Sequence, residues 1–244
     1  MTRRLTPARG LLGVLVAVQV AHGRRPAPRP PAATRAVLGL MLAASTAEAL
    51  EARGLKRGGL SVAAAGAIGF GAEVLGVATG RPFGHYSYTD RLGARVFGVP
   101  LLAAAAWAIM ARPAWVAAGW CSAQPRVRVP IAAAALTAWD VYLDPRMAGE
   151  GYWLWPDGGR YEGVPASNFA GWFLTGLGVF TVLAALDGSE PDARDDGALA
   201  LYAWTWAGEG FANAALWRRP LTAAAGALSM GVVAAPALWR RRRA

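Results

Sequence analysis

Two aspartates stand four residues apart in "AWDVYLDP", residues 138–145, at the end of an otherwise apolar run. Side chains at i and i+4 stack on one helix face, so Asp140 and Asp144 can point into one cavity. Two carboxylates that close repel each other when ionised, and desolvation adds to the repulsion. One of the pair should therefore hold its proton at neutral pH and be available as a general acid. Pro145 disfavours helix at the residue before it, which puts Asp144 at the membrane surface and Asp140 a turn deeper. Asp144 also has a plainer role open to it, as a cap or as the partner of Arg146; that role fits Asp140 much less well.

Three further acids, Glu48, Glu73 and Glu209, fall in apolar runs. An ionisable residue at the centre of a membrane helix costs about 2.5–3.5 kcal/mol, so those retained there face a cavity or a partner. Glu73 is six residues before the helix-ending "TGRPFG", about 9 Å below that end, with no basic residue near it in sequence. Glu48 and Glu51 lie beside Arg53, Lys56 and Arg57, where interfacial ion pairing accounts for them. Glu209 in "WAGEGFAN" is flanked by glycines that admit another helix, so an inter-helix hydrogen bond and a functional role both fit. Directly after the acid pair, "GEGYWLWPDGGRYEGVPASNFAGWF" brings together Tyr152, Trp153, Trp155, Tyr161, Phe169 and Trp172. An interfacial aromatic belt explains some of them, but aromatic faces beside a protonated carboxyl also suit the generation and holding of a carbocation. Asn168, after Pro165 and Ser167, is either a helix cap or a polar group that positions water.

The elements that must position these residues are membrane helices. Of 244 residues 55% are hydrophobic, 11 are Trp, and only 16% are charged, well below the roughly 25% of soluble domains. Apolar runs fall at about 33–50, 59–79, 96–118, 129–144, 164–186, 197–216 and 220–239, most close to the ~20 residues that cross a bilayer. No strand-like alternation appears. The expected fold is all-α, a polytopic membrane bundle of seven or eight transmembrane helices forming a single domain over residues 1–244. The run Leu11 to Ala21, preceded by Arg3, Arg4 and Arg9, fits an eighth span, a signal peptide or an interfacial helix. "RRPAPRPP", residues 24–31, is a linker outside the hydrocarbon, and residues 33–239 form the bundle. "DGSEPDARDD", residues 187–196, reads as a solvated acidic connector without chemistry. The basic tail at 240–244 places the C-terminus in the cytoplasm by the positive-inside bias, in a multi-pass protein of the cell membrane.

Several function classes drop out. The net charge of +10 is scattered over loops and tail, which points to anionic membrane lipid and away from nucleic acid. Cys121 is the only cysteine, so there is no disulfide framework and no thiolate metal site. His22 and His85 are too few for a membrane di-iron oxygenase. Gly66, Gly69, Gly71 and Gly76 follow no strand, and close helix packing accounts for them better than a dinucleotide fingerprint. No cofactor and no metal ion is expected.

The strings "EVLGVATGRPFGHYSYTDRLGARVFGVPLLAAAAWAIM" and "AWDVYLDPRMAGEGYWLWPDGGRYEGVPASNFAGWFLTG" resemble the carotenoid biosynthesis membrane protein family, whose characterised members are carotenoid hydratases of the CruF and bisanhydrobacterioruberin hydratase type. The WD(x)3DP, GYW and GVPxSNFxGW patterns are present without gaps, and the likeness covers most of residues 37–230. It implies addition of water across the terminal isoprenoid double bond of a long polyene, without oxygen or an organic cofactor, and a place among other carotenoid biosynthesis enzymes. Such a reaction needs an acid to protonate the less substituted carbon, aromatic stabilisation of a tertiary cation, and a base to deliver water. Asp140 is the first candidate for the acid, with Asp144 or Glu73 completing the relay. Trp139, Tyr142, Trp153, Trp155, Asn168, Phe169 and Trp172 would line the substrate end, with His85, Tyr86 and Tyr88 of "GHYSY" over its mouth. Two other classes stay open: a Mg²⁺-dependent membrane prenyltransferase, which also uses an Asp-x3-Asp pair, and a carotenoid-binding or scaffold protein.

Overall fold

A computed structural model of the chain describes residues 6–244; Arg3 and Arg4 lie outside the described residues. Seven helices account for most of it: α1 Pro7–Gly23, α2 Pro31–Thr79, α3 Leu101–Cys121, α4 Pro125–Gly149, α5 Ala166–Leu186, α6 Asp196–Phe211 and α7 Pro220–Arg243. Proline opens α1, α2, α4 and α7, where its missing N–H costs nothing and its fixed φ suits the first turn. Four two-residue strands occur only in loops: β1 Ser87–Tyr88 pairs with β4 Trp153–Leu154, and β2 Arg95–Val96 with β3 Val99–Pro100. The protein is an all-helical membrane bundle, and α2, α3, α5 and α7 are long and apolar enough to cross a bilayer by themselves.

The 49-residue α2 is two helical arms joined at Gly54, whose φ of +74° is open to glycine and strained for other residues. Along the first arm Arg35 approaches Gly93, and Glu48 reaches Arg112. Along the second the order runs backwards, with Gly66 against Ala108 and Val77 against Gly98. The arms are therefore antiparallel, as the two sequence runs 33–50 and 59–79 require. Counted this way the chain forms eight rods that alternate in direction, with the loops 80–100 and 150–165 at one end and the 187–195 connector and the C-terminus at the other. Residues 7–23 form the first rod. Helix α3 is the hub: every residue from Ala106 through Gly119 is buried, as expected of a helix that is apolar all round.

At the end of the bundle that carries the C-terminus, the hub holds an ion cluster. Arg112 of α3 donates to Glu48 of α2 and, at 2.6 Å, to Asp195. Arg53 donates to Asp187 at 2.9 Å and to Asp195 at 2.7 Å. Beside them Arg128 of α4 lies over the Trp115 ring at 3.7 Å and donates to the Ser189 carbonyl at 2.8 Å. Two expectations are corrected here. Glu48 pairs with Arg112 across helices and not with its sequence neighbours, and Lys56 and Arg57 are exposed. The acidic connector is not a solvated spacer, because Asp187 and Asp195 are buried in it as anchors. An Arg in an apolar span must find an anion, and the connector supplies one.

Replacing Arg112 with Met should leave Glu48 and Asp195 short of a counter-charge in a buried site, at a cost of about 3–5 kcal/mol. A thermal melt of the detergent-solubilised variant checks this, and an unchanged midpoint would show that the cluster does not hold the bundle. Burial alone would raise the Asp187 carboxyl, but the Ser189 hydroxyl and the Arg53 and Arg112 guanidiniums outweigh it and hold the group below its usual range. A carboxyl held low in the fold stabilises above its unfolded pKa and loses that contribution as pH falls through the folded value. Stability should thus drop below about pH 4, and Asp187→Asn should flatten that dependence.

Candidate active site

Glu73, in the second arm of α2, is buried at 5% exposure and meets no cation among the described residues. Its carboxyl accepts three hydrogen bonds from neutral donors: the Tyr86 hydroxyl, the Tyr88 hydroxyl at 2.8 Å and the Trp107 indole N–H at 3.2 Å. Burial first, and then the neighbouring Glu73, push both phenols far above their ordinary range, so Tyr86 and Tyr88 stay protonated donors. Trp107 reaches Glu73 because Gly69 lies opposite it; a Cβ on Gly69 would stand 2.1 Å from the Trp107 ring. The same indole stacks on Trp172 of α5 at 4.1 Å, and Trp172 meets Trp139 edge-on at 6.3 Å.

The aspartate pair does share one helix face, but α4 does not stop at Asp144. It continues through Pro145 to Gly149. Proline removes the bond to the carbonyl four residues back, Val141, and the Tyr161 hydroxyl takes that carbonyl at 3.0 Å. Asp144 is thus inside the bundle, 3% exposed, and Asp140 is fully buried a turn deeper. Arg146 is not the partner of Asp144; it approaches Glu209 at 3.8 Å instead. What holds the pair is Asn168 in the first turn of α5. Its Nδ2 donates to Asp140 Oδ2 at 2.8 Å and to Asp144 Oδ2. The α5 helix has no side-chain cap, so of the two readings of Asn168 the structure leaves the polar one, a single amide bridging two carboxyls. Among the described residues no donor reaches Asp140 Oδ1.

A small cavity of ≈ 30 Å³ lies between these groups. Glu73, Asp144 and Asn168 supply its polar wall, and Phe83, Tyr86, Tyr88, Trp153, Trp155 and Trp172 its aromatic one. That volume is room for about one or two waters. Over it, the two loops are stapled by the Tyr88–Trp153 and Ser87–Leu154 strand pairs and by Thr89, whose N–H and hydroxyl bond the Tyr152 and Gly151 carbonyls at 3.0 and 2.7 Å.

Residues 33–233 match the family model described as "Carotenoid biosynthesis protein". The chain belongs to that family. It is also 31% identical over 130 residues to a bisanhydrobacterioruberin hydratase of Haloarcula japonica, a stretch covering 50% of this chain and 43% of that relative. The alignment thus spans less than half of the relative's length. No solved structure matches.

Within this family member, the cavity brings together Glu73, Tyr86, Tyr88, Asp144, Trp153, Trp155, Asn168 and Trp172, with Asp140 and Trp139 just behind. It does not bring in three of the expected residues. His85 is exposed outside the cavity, Phe169 packs edge-on against Tyr161 at 5.7 Å, and Tyr142 points away from the acids to the Trp206 carbonyl at 3.3 Å. Tyr142 is two residues from Asp140 and from Asp144, which puts it on the opposite helix face. Phe83 and Trp107 escape the sequence reading. For Trp107 the signal was there: a lone indole in the run "AAAAWAIM" needs an acceptor for its N–H once buried.

A methyl group at residue 69 tests this arrangement. Gly69→Ala should push Trp107 off Glu73 and off Trp172, at a cost of about 1–3 kcal/mol for overpacking. Near-ultraviolet circular dichroism should lose the stacked-indole signal while far-ultraviolet helicity persists; an unchanged near-ultraviolet spectrum would count against the contact.

Proposed function

We propose that this protein is a carotenoid hydratase, a lyase acting in the hydration direction. It adds water across a terminal isoprenoid double bond of an acyclic or monocyclic carotenoid to give a tertiary alcohol. One observation carries the reading: the three buried acids at the cavity, Glu73, Asp140 and Asp144, have only neutral hydrogen-bond partners, while the buried acids at the other end of the bundle have arginines. Acids without counter-ions in an aromatic enclosure suit proton transfer to carbon. Family membership and the hydratase relative support the substrate class and the reaction.

The donor count divides the roles. Asp140 and Asp144 lean on one bridging amide, with the Trp153 indole as a further neutral partner of Asp144 and no cation among the described residues, so the pair carries a proton of its own, and Asp144, which faces the cavity where the first candidate Asp140 does not, delivers it to the less substituted alkene carbon. Asp140 lies behind and re-supplies Asp144. The electron pair of the double bond becomes the new C–H bond, leaving a tertiary cation against the Trp155, Trp172 and Tyr86 rings. Glu73 accepts three bonds and donates none, so it takes the proton of the water whose oxygen closes on the cation; a proton returned from Glu73 to the aspartates resets the site. The terminal group enters by displacing the half-buried Trp155 and Tyr86 side chains, since the cavity as it stands is water-sized.

Expression in a host that accumulates lycopene should give a product heavier by one water, with its oxygen derived from labelled water and not from O2. Asp144→Asn and Glu73→Gln should each lower turnover about 10²-fold or more with the protein still folded and inserted, and Asp140→Asn should lower it less. Full activity of Asp144→Asn would sink the acid assignment. Loss of wild-type activity on adding a chelator would move the reading to metal-dependent prenyl transfer, and polyene binding with no product in any host would make the protein a carrier.

A further inference from the structure

A second cavity, of ≈ 260 Å³, lies between α1, α6 and the π-helical turn Ala212–Leu216, at the same end of the bundle as Glu73 and Asp144 and opposite to the ion cluster. It is on the other side of α4: Arg146 enters it, and Arg146 is two residues from Asp144, on the opposite helix face. We propose that this cavity binds the phosphate-bearing headgroup of an anionic membrane lipid.

The cavity is built around donors that no described residue uses. His22 is 6% exposed, and neither ring nitrogen has a partner; the Arg146 Nε is buried and equally unpartnered. Buried donors in a native protein are normally satisfied, so two of them on residues that line one cavity point to a ligand rich in acceptors. The guanidinium is held against Trp217, whose ring centroid is 4.5 Å from Arg29 Cζ and 5.1 Å from Arg146 Cζ and whose N–H donates to the Gly23 carbonyl at 3.1 Å. Arg29 itself is committed to Glu150 and to the His22 carbonyl, which leaves Arg146 and the exposed Arg24 as the cavity's cations against Glu209 alone. The local balance favours an anion, and a guanidinium with a neighbouring N–H donor matches phosphate oxygens. Glu209, 3.8 Å from Arg146, accepts only a long bond of 3.5 Å from the Asn213 amide among the described residues, so its carboxylate can also accept from a headgroup hydroxyl.

The walls say that the anion carries chains. Val20, Phe211 and Leu216 line the same cavity and are exposed on its outer side, on the lipid-facing flank of α1 and α6. A free phosphate would have no use for that apolar rim, whereas a glycerophospholipid would lay its chains along it. The cavity's place at the ends of α1 and α6 is also the depth at which headgroups lie.

The test is native mass spectrometry of the detergent-purified protein titrated with dioleoylphosphatidylglycerol, with dioleoylglycerol, which has the same chains without the phosphate, or with inorganic phosphate. The wild type should hold one phosphatidylglycerol through collisional activation and should not hold dioleoylglycerol. Arg146→Gln should weaken binding about tenfold or more by removing a charged donor. Gly208→Leu gives a second, independent variant, because Gly208 lines the cavity, the nearest atoms to a Cβ there are those of the Trp204 ring at 3.5 Å, and the larger side chain takes up cavity volume while Arg146 is left unaltered. It should weaken binding at least as much, and it carries the test if Arg146→Gln does not fold. Equal retention of dioleoylglycerol, or phosphatidylglycerol binding unchanged in the folded variants, would overturn the proposal. Displacement of the lipid by millimolar inorganic phosphate would assign the cavity to the free ion and overturn the lipid source.

Discussion

A carboxyl group inside a membrane bundle must be compensated, and the choice of compensating partner organises this protein. At one end, guanidiniums do it: Arg53 and Arg112 take Glu48, Asp187 and Asp195, and two helices and a connector are drawn together by charge. At the other, neutral donors do it: two phenols, an indole and one amide take Glu73, Asp140 and Asp144. An ion pair fixes both protonation states and is chemically quiet. A carboxyl held by neutral groups keeps the ability to change its proton, so the two ends of one bundle are suited to holding and to reacting.

The reactive end depends on the quiet one through α3. That helix carries Arg112 at its middle and Trp107 little more than a turn earlier, so the cluster that locks α3 against α2 also sets where Trp107 meets Glu73. Close approach along this contact relies on small residues, with Gly69 giving way to Trp107 and Gly66 facing Ala108. The aromatic wall is then continued by α5, whose Trp172 stacks on Trp107 and whose Asn168 bridges the aspartates. The water-sized cavity between these elements is thus walled by carboxyls and an amide on one side and by aromatic rings on the other.

The loops over the cavity are ordered by backbone pairing as well as by side chains. Tyr88 and Trp153, which face the acids, are also partners in a strand pair, so the residues that hold Glu73 and line the cavity are placed by the same hydrogen bonds that close the loops. Five of the six cavity aromatics come from these loops.

Much of this was legible in the chain. Hydrophobic runs of bilayer length fix an all-helical bundle because backbone groups in hydrocarbon must be satisfied within each segment, and the 3.6-residue period puts Asp140 and Asp144 on one face. The isolation of Glu73 from basic neighbours marked it as unusual, and the aromatic density after the acid pair marked the enclosure. The sequence could not say which partner each acid takes, because partners come from other helices: Arg112 is 64 residues from Glu48, and Asn168 is 28 from Asp140. Nearness in sequence suggested Arg53 for Glu48 and Arg146 for Asp144, and both suggestions fail for the same reason. Neighbours along a helix point to different faces, and only packing decides which face meets which. The same packing placed Tyr142 away from the acids that flank it in sequence, carried α4 past Pro145 by giving the freed carbonyl to Tyr161, and turned an acidic connector into the anchor of the hub helix.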